Sequence, residues 1–433
     1  MSADGLLVDV KIFGMPIGTL FWNTEKQLAA FEYEKKFLNS GLEISPIIMP
    51  LSESKGKVYE FPQNKGECFK GLPGIFADSL PDKFGTSVID EWFASLGKSA
   101  EECTPLHRLC YVGKRAMGAL EFEPSENISG LDDSTVLDIN NLMSKAREVL
   151  DSRKSFRKIL KRDEQSIKDI LRVGTSAGGA KPKAIIAYNK TTGEIRSGQV
   201  KAPKGFEYFL LKFDGLENSQ ISDNPIGIGN IEYAYYKMAT DCGINMTYSM
   251  LLPEGDYHHF MTQRFDRTAS GEKLHTQTLC AIAHLDRDNR HSYEQGFQAI
   301  RDLELSHEDS VQFYRRMVFN VIARNQDDHT KNHSFIMDKG GKWKLAPAYD
   351  VCFSHSSQGR WTKDHQMSLN QKRNDFIRKD LLEVAEKMDI LRPAHIIDEV
   401  LEVVSKWKQY ATDCGVKKEH STQIAKKLRV PLT

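Results

Sequence analysis

Three oxygen-bearing side chains stand at spacings that suit phosphoryl transfer. Asp327 and Asn332 lie five positions apart in the run Asp327-Asp328-His329-Thr330-Lys331-Asn332, and Asp350 ends the run Ala348-Tyr349-Asp350. Moving a phosphoryl group from a nucleoside triphosphate needs a carboxylate to accept the proton of the attacking hydroxyl. It also needs oxygen ligands for Mg²⁺ beside the phosphates. Asp327 takes the first role; Asn332 and Asp350 take the second. Residues 333–337 and 343–347 flank Lys339-Gly340-Gly341 as a β-hairpin would, returning Asp350 toward Asn332. Asp328 reads as an extra carboxylate that solvates the loop, and His329 as a brace for it. An Asp and an Asn at this offset are common, so the surroundings decide.

Residues 312–325 form the clearest helix, with Phe313, Met317, Val321 and Ile322 at helical spacing and Arg315, Arg316 and Arg324 on other faces. Its C-terminal end would hold the 327–332 loop. Upstream lies the most glycine-rich stretch, 174–183. There Ala177, Gly178, Gly179, Ala180, Lys181 and Lys183 could fold over phosphates, because glycine lets backbone N–H groups approach oxygen without a Cβ in the way. It is not a Walker A loop, since Lys181 is followed by proline; an ordinary flexible loop is the competing reading. Lys212 sits on an apolar strand, 208–213, where a lone ammonium is costly. Triphosphate oxygens and Glu232, on the helix 230–241, would supply partners; the alternative leaves Lys212 in solvent on an edge strand. Gln263, Arg264 and Phe265 close a further strand and could provide a hinge for adenine, with Asp266 on the ribose and Lys331 also turned to the nucleotide. A structural salt-bridge cluster of Arg264, Asp266 and Arg267 competes with that assignment.

At 433 residues the chain is long enough for two or three domains. Its 40% hydrophobic and 27% charged content suits a globular protein, and equal totals of 59 basic and 59 acidic residues argue against a polyanion-binding surface overall. No apolar run reaches membrane-spanning length, the N-terminus lacks an export pattern, and seven scattered cysteines fit a reducing cytoplasm. Cys103, His107 and Cys110 offer three ligands without a fourth nearby, so buried structural thiols are the better reading. Strands are expected at 6–13 and 18–22 and as a pair at 111–113 and 118–122, with a helical segment from 82 to 96 and a polar linker at 127–134. A short helix is expected at 166–171 and strands at 184–188 and 260–265. Beyond residue 276 helical periodicity dominates. The expected division is 1–125, 126–270 carrying the glycine loop and strand lysine, and 271–433 carrying the catalytic loop.

With these residues in hand, the chain resembles the HipA family of serine/threonine kinase toxins from HipBA-type toxin–antitoxin modules. The kinase part of the likeness rests on residues 176–183, Arg264-Phe265-Asp266-Arg267, the 327–332 run and Tyr349-Asp350. A softer part rests on Gly18-Thr19-Leu20, Phe31-Glu32-Tyr33, residues 45–51 and Gly74 with 78–82. The resemblance implies an α+β, two-lobed kinase-like fold: a mixed N-terminal region with a small antiparallel sheet over an all-helical C-terminal lobe. It implies ATP and Mg²⁺ as cofactors, with Lys212 on the phosphates, Gln263 to Phe265 as hinge, Asp266 near the ribose, Asp327 and His329 in the catalytic loop, and Asn332 and Asp350 on the metal. Ser176 matches a serine that such kinases phosphorylate on themselves, which expels the glycine loop and switches activity off; Lys183 matches a further loop lysine. Gln263 stands where glutamate is frequent, and Asp328 where a small residue is common. The partners implied are a protein substrate such as an aminoacyl-tRNA synthetase and a HipB-like helix-turn-helix antitoxin, with DNA reached through it. A small-molecule phosphotransferase and a nucleotide-binding co-repressor remain alternatives.

Overall fold

Alternation sets the first sheet. In Leu7–Ile12 (β1) the side chains of Val8, Val10 and Ile12 are buried while Leu7 and Asp9 are exposed. β1 pairs antiparallel with Met15–Asn23 (β2), β2 with Leu28–Tyr33 (β3), and β3 with the short Val58–Tyr59 (β4). The helices Gly74–Ala77 (α1) and Pro105–Val112 (α2) come before Leu120–Glu123 (β5), which joins the other edge of β1, giving the order β4-β3-β2-β1-β5. The computed structural model describes residues 5–81, 85–86, 89–90, 93, 97, 99, 102–125, 134, 136–138, 183–215 and 226–432. The glycine-rich residues 174–182, the expected helix at 166–171, most of the 127–134 linker and most of the helical stretch at 82–96 lie outside them.

The expected strand at 111–113 is instead the end of α2. Thr104 caps this helix through the His107 N–H, His107 returns the bond from its side chain, and Pro105 occupies the first turn. Leu106, Leu109, Cys110 and Val112 are buried at helical spacing, a period hidden by the β-prone Tyr-Val pair. His107 is therefore a capping residue.

The second sheet comprises Lys183–Tyr188 (β6), Ile195–Ser197 (β7), Glu207–Lys212 (β8), Ser249–Glu254 (β9) and Tyr257–Gln263 (β10) in the antiparallel order β7-β6-β8-β10-β9. Ala184, Ile186, Phe209, Leu211 and Met261 form its core. Helix Ile228–Asp241 (α3) lies against β10 at close range, because a Cβ on Gly229 would fall 1.9 Å from the His258 carbonyl oxygen. That approach sets the height of Glu232, one turn further on.

The remaining elements are His275–Thr278 (β11), Leu279–Ile282 (α4), His291–Ser292 (β12), Tyr293–Asp302 (α5), His307–Ile322 (α6), Ser334–Met337 (β13), Trp343–Leu345 (β14), Met367–Ser368 (β15), Arg378–Lys387 (α7), Pro393–Ser405 (α8), Trp407–Asp413 (α9) and Lys418–Ala425 (α10). The expectation of an all-helical C-terminal part is corrected: β11, β13 and β14 make an antiparallel sheet, and β12 pairs in parallel with β15. β11 escaped notice because its inward residues are His275 and Gln277, each only 1% exposed, not aliphatic ones. Gln277 offsets part of its burial cost by donating to the Ile44 carbonyl at 2.6 Å.

That bond is one of several fastening the first sheet region to the rest. Trp343 donates to the Glu43 carbonyl at 2.9 Å, and α1 seats on α4 so closely that a Cβ on Gly74 would lie 2.3 Å from the Ala281 carbonyl oxygen. No described helix is long and apolar enough to cross a membrane.

Candidate active site

Helix α6 begins with a capping box between Ser306 and Asp309 and buries Phe313, Met317, Val321 and Ile322 completely. Arg324, just past its end, turns the chain with φ 58°, and Asn325 folds back to donate its side chain to Asn320 Oδ1 at 2.9 Å. The catalytic-loop residues are thus launched from a rigid post. Asn332 donates its side-chain Nδ2 to the Asp327 carbonyl at 2.7 Å, closing the loop and leaving Oδ1 as the atom available to a cation.

The hairpin β13–β14 brings Asp350 back. Phe335 pairs with Leu345 and Met337 with Trp343; Tyr349 then donates to the Lys331 carbonyl at 2.6 Å while accepting from Ser334 Oγ at 2.5 Å. Asp350 adopts φ 52°, a left-handed conformation held by these straps. Lys212 Nζ donates to both Asp350 and Glu232, although Asp350 lies 138 residues away in sequence. The three side chains are 12%, 26% and 8% exposed for Lys212, Asp350 and Glu232. Burial disfavours the Lys212 ammonium, but Asp350 and Glu232 more than offset it, so its pKa stands above that of an ordinary lysine.

Adjacent strands align Lys183, Lys212 and Phe260 across β6, β8 and β10. Two cations directly opposite each other repel, so this row favours anions. Glu232 and Asp350 answer that demand at Lys212.

Asp327 and Asp328 have opposite surroundings. The Asp327 carboxylate is 46% exposed, and the nearest ionisable partner is His329 Nε2 at 3.8 Å. Burial lowers the His329 pKa, with Asp327 pulling against it, and its Nδ1 has no hydrogen-bond partner among the described residues. Asp328 is sealed. It accepts from Tyr293 OH, His365 Nδ1 and the Gln366 N–H, each at 2.7 Å. Burial pushes its pKa up, but His365, Tyr293 and Gln366 together hold it below the usual value. Asp328 therefore does not solvate the loop; it ties the loop to the segment that follows Asp350.

The hinge expectation divides. Gln263 and Arg264 spend their backbone N–H groups on the carbonyls of Tyr248 and Tyr208, both at 2.8 Å. Phe265, half-buried and 5.6 Å from the Tyr349 ring, is the hinge residue left to meet a base. Asp266 is fully buried. It accepts from Arg264 at 2.7 and 2.8 Å, from Arg267 at 2.8 Å and from the Gly118 N–H at 2.7 Å. Burial alone would raise its pKa; Arg264 and Arg267 instead hold it far down, while burial beside Arg264 pushes Arg267 down to about 10. The ribose assignment of Asp266 is thus corrected: its carboxylate belongs to the salt-bridge cluster with Arg264 and Arg267, which fastens residues 116–118 to the end of β10. Lys331 faces the first sheet region; burial opposes its charge, and Asp78, with Cys68 and Cys280, more than offsets that.

The structure brings together Lys212, Glu232 and Asp350, and separately Asp327, His329 and Asn332 on a loop strapped to the same hairpin. Ser176, Ala177, Gly178, Gly179, Ala180 and Lys181 lie outside the described residues, while Lys183 is buried on β6. Sequence reasoning missed Tyr349 as a strap and His365 as the partner of Asp328. The Tyr-Asp pair was a signal for the first; nothing in the spacing of His365 pointed to the second.

The HipA-like C-terminal domain model matches residues 175–429 and the HipA N-terminal domain model residues 8–123. A Sinorhizobium fredii protein named "Putative kinase Y4dM" is 28% identical over 151 residues, covering 34% of this chain and 36% of that protein. A Haemophilus influenzae protein named "Putative kinase" is 27% identical over 134 residues, covering 28% and 39%. The matched stretch is thus under two fifths of either relative. Among solved structures, HipA of Shewanella oneidensis MR-1, determined with HipB and its operator DNA, aligns with a TM-score of 0.61 at 16% identity over 97% of this chain and 94% of that one. At that identity the likeness is one of fold.

Proposed function

The chain belongs to the HipA family, and from that premise we propose that it is a Mg²⁺/ATP-dependent protein serine/threonine kinase, the toxin half of a toxin–antitoxin pair. The observation that carries the reading is the contact of Lys212 with both Glu232 and Asp350. A lysine on the sheet, held by a helix glutamate and by a carboxylate next to the catalytic loop, is the set that phosphoryl transfer from ATP requires.

In this reading Lys212 exchanges Asp350 for phosphate oxygens when ATP enters, while Glu232 keeps its ammonium aimed. Asn332 Oδ1 and the Asp350 carboxylate, both oxygen donors, fit a hard divalent cation. Mg²⁺ held there would supply the positive charge that offsets the phosphates during transfer. Asp327, exposed and unencumbered, orients the acceptor hydroxyl and takes its proton. His329, kept neutral by burial, packs beside Asp327 and holds the loop. Phe265 forms the adenine-side wall. Phosphorylation of Ser176 would place a dianion in the loop that covers the ATP phosphates, which turns the enzyme off by repulsion. The acceptor is a protein of the translation machinery such as an aminoacyl-tRNA synthetase. The chain works beside a HipB-like DNA-binding antitoxin, in the cytoplasm.

The test is incubation of purified protein with Mg²⁺ and γ-labelled ATP, alone and with cell lysate, against an Asp327→Asn control. Label on Ser176 and on a lysate protein, absent in the control, supports the proposal. Label only on small molecules, or equal labelling by the control, overturns it.

A further inference from the structure

Cys68, from the first sheet region, and Cys280, in α4, place their sulfurs 3.1 Å apart although 212 residues separate them. Both are buried, Cys68 at 4% and Cys280 at 0% exposure. A disulfide requires about 2.05 Å, so a shift of about 1 Å closes the gap. We propose that this pair is an oxidation site: a dithiol that takes a hydroperoxide, closes into a disulfide, and thereby controls the catalytic loop. The inference rests on the kinase reading only for its effect on turnover, not for the chemistry of the thiols.

The location supplies the second half of the argument. The segment that begins with helix α4 is bonded twice to the catalytic loop and the residue after it: Leu279 N–H, at the helix start, donates to the His333 carbonyl at 2.7 Å, and Thr330 Oγ donates at 2.8 Å to the carbonyl of Leu285, three residues past the helix end. Between them, Leu285 N–H returns to the Cys280 carbonyl at 3.0 Å. From the other side, Asp78 accepts from the N–H and hydroxyl of Thr278, the cap of α4, at 2.7 and 3.0 Å. His284 accepts from Gly74 N–H at 2.9 Å. Cys280 thus sits on a short helix that links the first sheet region to the Asp327–Asn332 loop, and a movement of α4 is passed to that loop.

The chemistry balances. The Cys68 thiolate attacks one oxygen of hydrogen peroxide, the O–O bond breaks, and Cys68 becomes a sulfenic acid as hydroxide leaves. The Cys280 sulfur then attacks the Cys68 sulfur, the S–O bond breaks, and water departs; two thiols and one peroxide yield one disulfide and two waters. Cys68 is the attacking sulfur because it is the more exposed of the two. The hydrogen bond from Cys280 also makes its thiol the more acidic, with Lys331 assisting against burial.

Full-length protein is treated with hydrogen peroxide, mapped by non-reducing peptide mass spectrometry, and assayed for phosphate transfer before and after dithiothreitol. The expected result is a Cys68–Cys280 linked peptide and a fall in transfer of about ten- to a hundredfold, the range for a misplacement of about 1 Å in a catalytic group, reversed by the dithiol. Cys68→Ala and, separately, Cys280→Ser should keep basal transfer and resist peroxide. Cysteines oxidised without this linkage overturn the site. Linkage with unchanged transfer by an otherwise active enzyme overturns the coupling. If the untreated protein transfers no phosphate, the kinase reading fails while the peptide map still decides the site; there a linkage without any rise in thermal midpoint counts against a constraint on α4.

Discussion

Asp327 and Asp328 are neighbours of one residue type, and the fold gives them contrary tasks. One is 46% exposed with a histidine 3.8 Å away; the other is sealed, with three donors at 2.7 Å. The same contrast separates two charge clusters. In the first, Lys212 and Glu232 are largely buried and Asp350 is 26% exposed, whereas Arg264, Asp266 and Arg267 are 4%, 0% and 9% exposed and held by each other and by Gly118. The carboxylates assigned to chemistry, Asp327 and Asp350, keep a route to solvent. Those assigned to architecture, Asp266 and Asp328, do not.

The contrast can be broken by substitution. Asp327→Asn should lower transfer by about two to four orders of magnitude, the usual worth of a positioned base, while its urea midpoint stays within about 0.5 kcal/mol of wild type. A variant that unfolds instead would put Asp327 with the structural set. Asp266→Ala should do the reverse: removing one partner from a buried ion cluster costs about 3–5 kcal/mol, measurable by urea unfolding. Unchanged stability there would show that the cluster is not what fastens residues 116–118 to β10.

Asp328→Asn sharpens the comparison between neighbours. It keeps the shape but weakens the bonds to His365 and Tyr293, so stability should fall by about 1–3 kcal/mol and the segment after Asp350 should lose amide-exchange protection. Protection retained at 362–366 would contradict the tie. The last effect concerns acid. Burial pushes His284 down to about 4, so the folded protein resists its protonation while the unfolded chain accepts a proton near pH 6.5. Stability is therefore complete above the unfolded pKa and is lost as pH falls from 6.5 to about 4, at about 1.4 kcal/mol per unit. His284→Gln should reduce that slope by this amount in melts between pH 7 and 5; an unaltered slope would show that His284 is not shielded.

How far the sequence could be read follows from the same distinction. The strands 184–188, 208–213 and 260–265, helix α6 and the hairpin after Asn332 all follow simple apolar periods, and the structure has each within a few residues. Lys212 was legible because a lysine amid Leu210, Leu211 and Phe213 demands a partner. β11 was not, because its buried residues are His275 and Gln277, which bond to each other, with Gln277 also reaching the distant Ile44 carbonyl. The fate of Asp266 and Asp328 was equally hidden: their partners Gly118, His365 and Tyr293 come from remote segments, and only tertiary packing decides which of two similar carboxylates is covered. The Tyr-Val pair at 111–112 misled because strand-prone residues end a helix whose cap, Thr104, fixed its type.

The central claim is that Lys212, Asn332 and Asp350 meet around one metal-bound nucleotide. Titration calorimetry of ATP into the protein, in Mg²⁺ and again in EDTA, reads it directly when wild type, Asp350→Asn and Asp327→Asn are compared. The account predicts at least tenfold tighter binding with Mg²⁺ for wild type and Asp327→Asn, and no such difference for Asp350→Asn. Binding that Mg²⁺ strengthens equally in Asp350→Asn would contradict it.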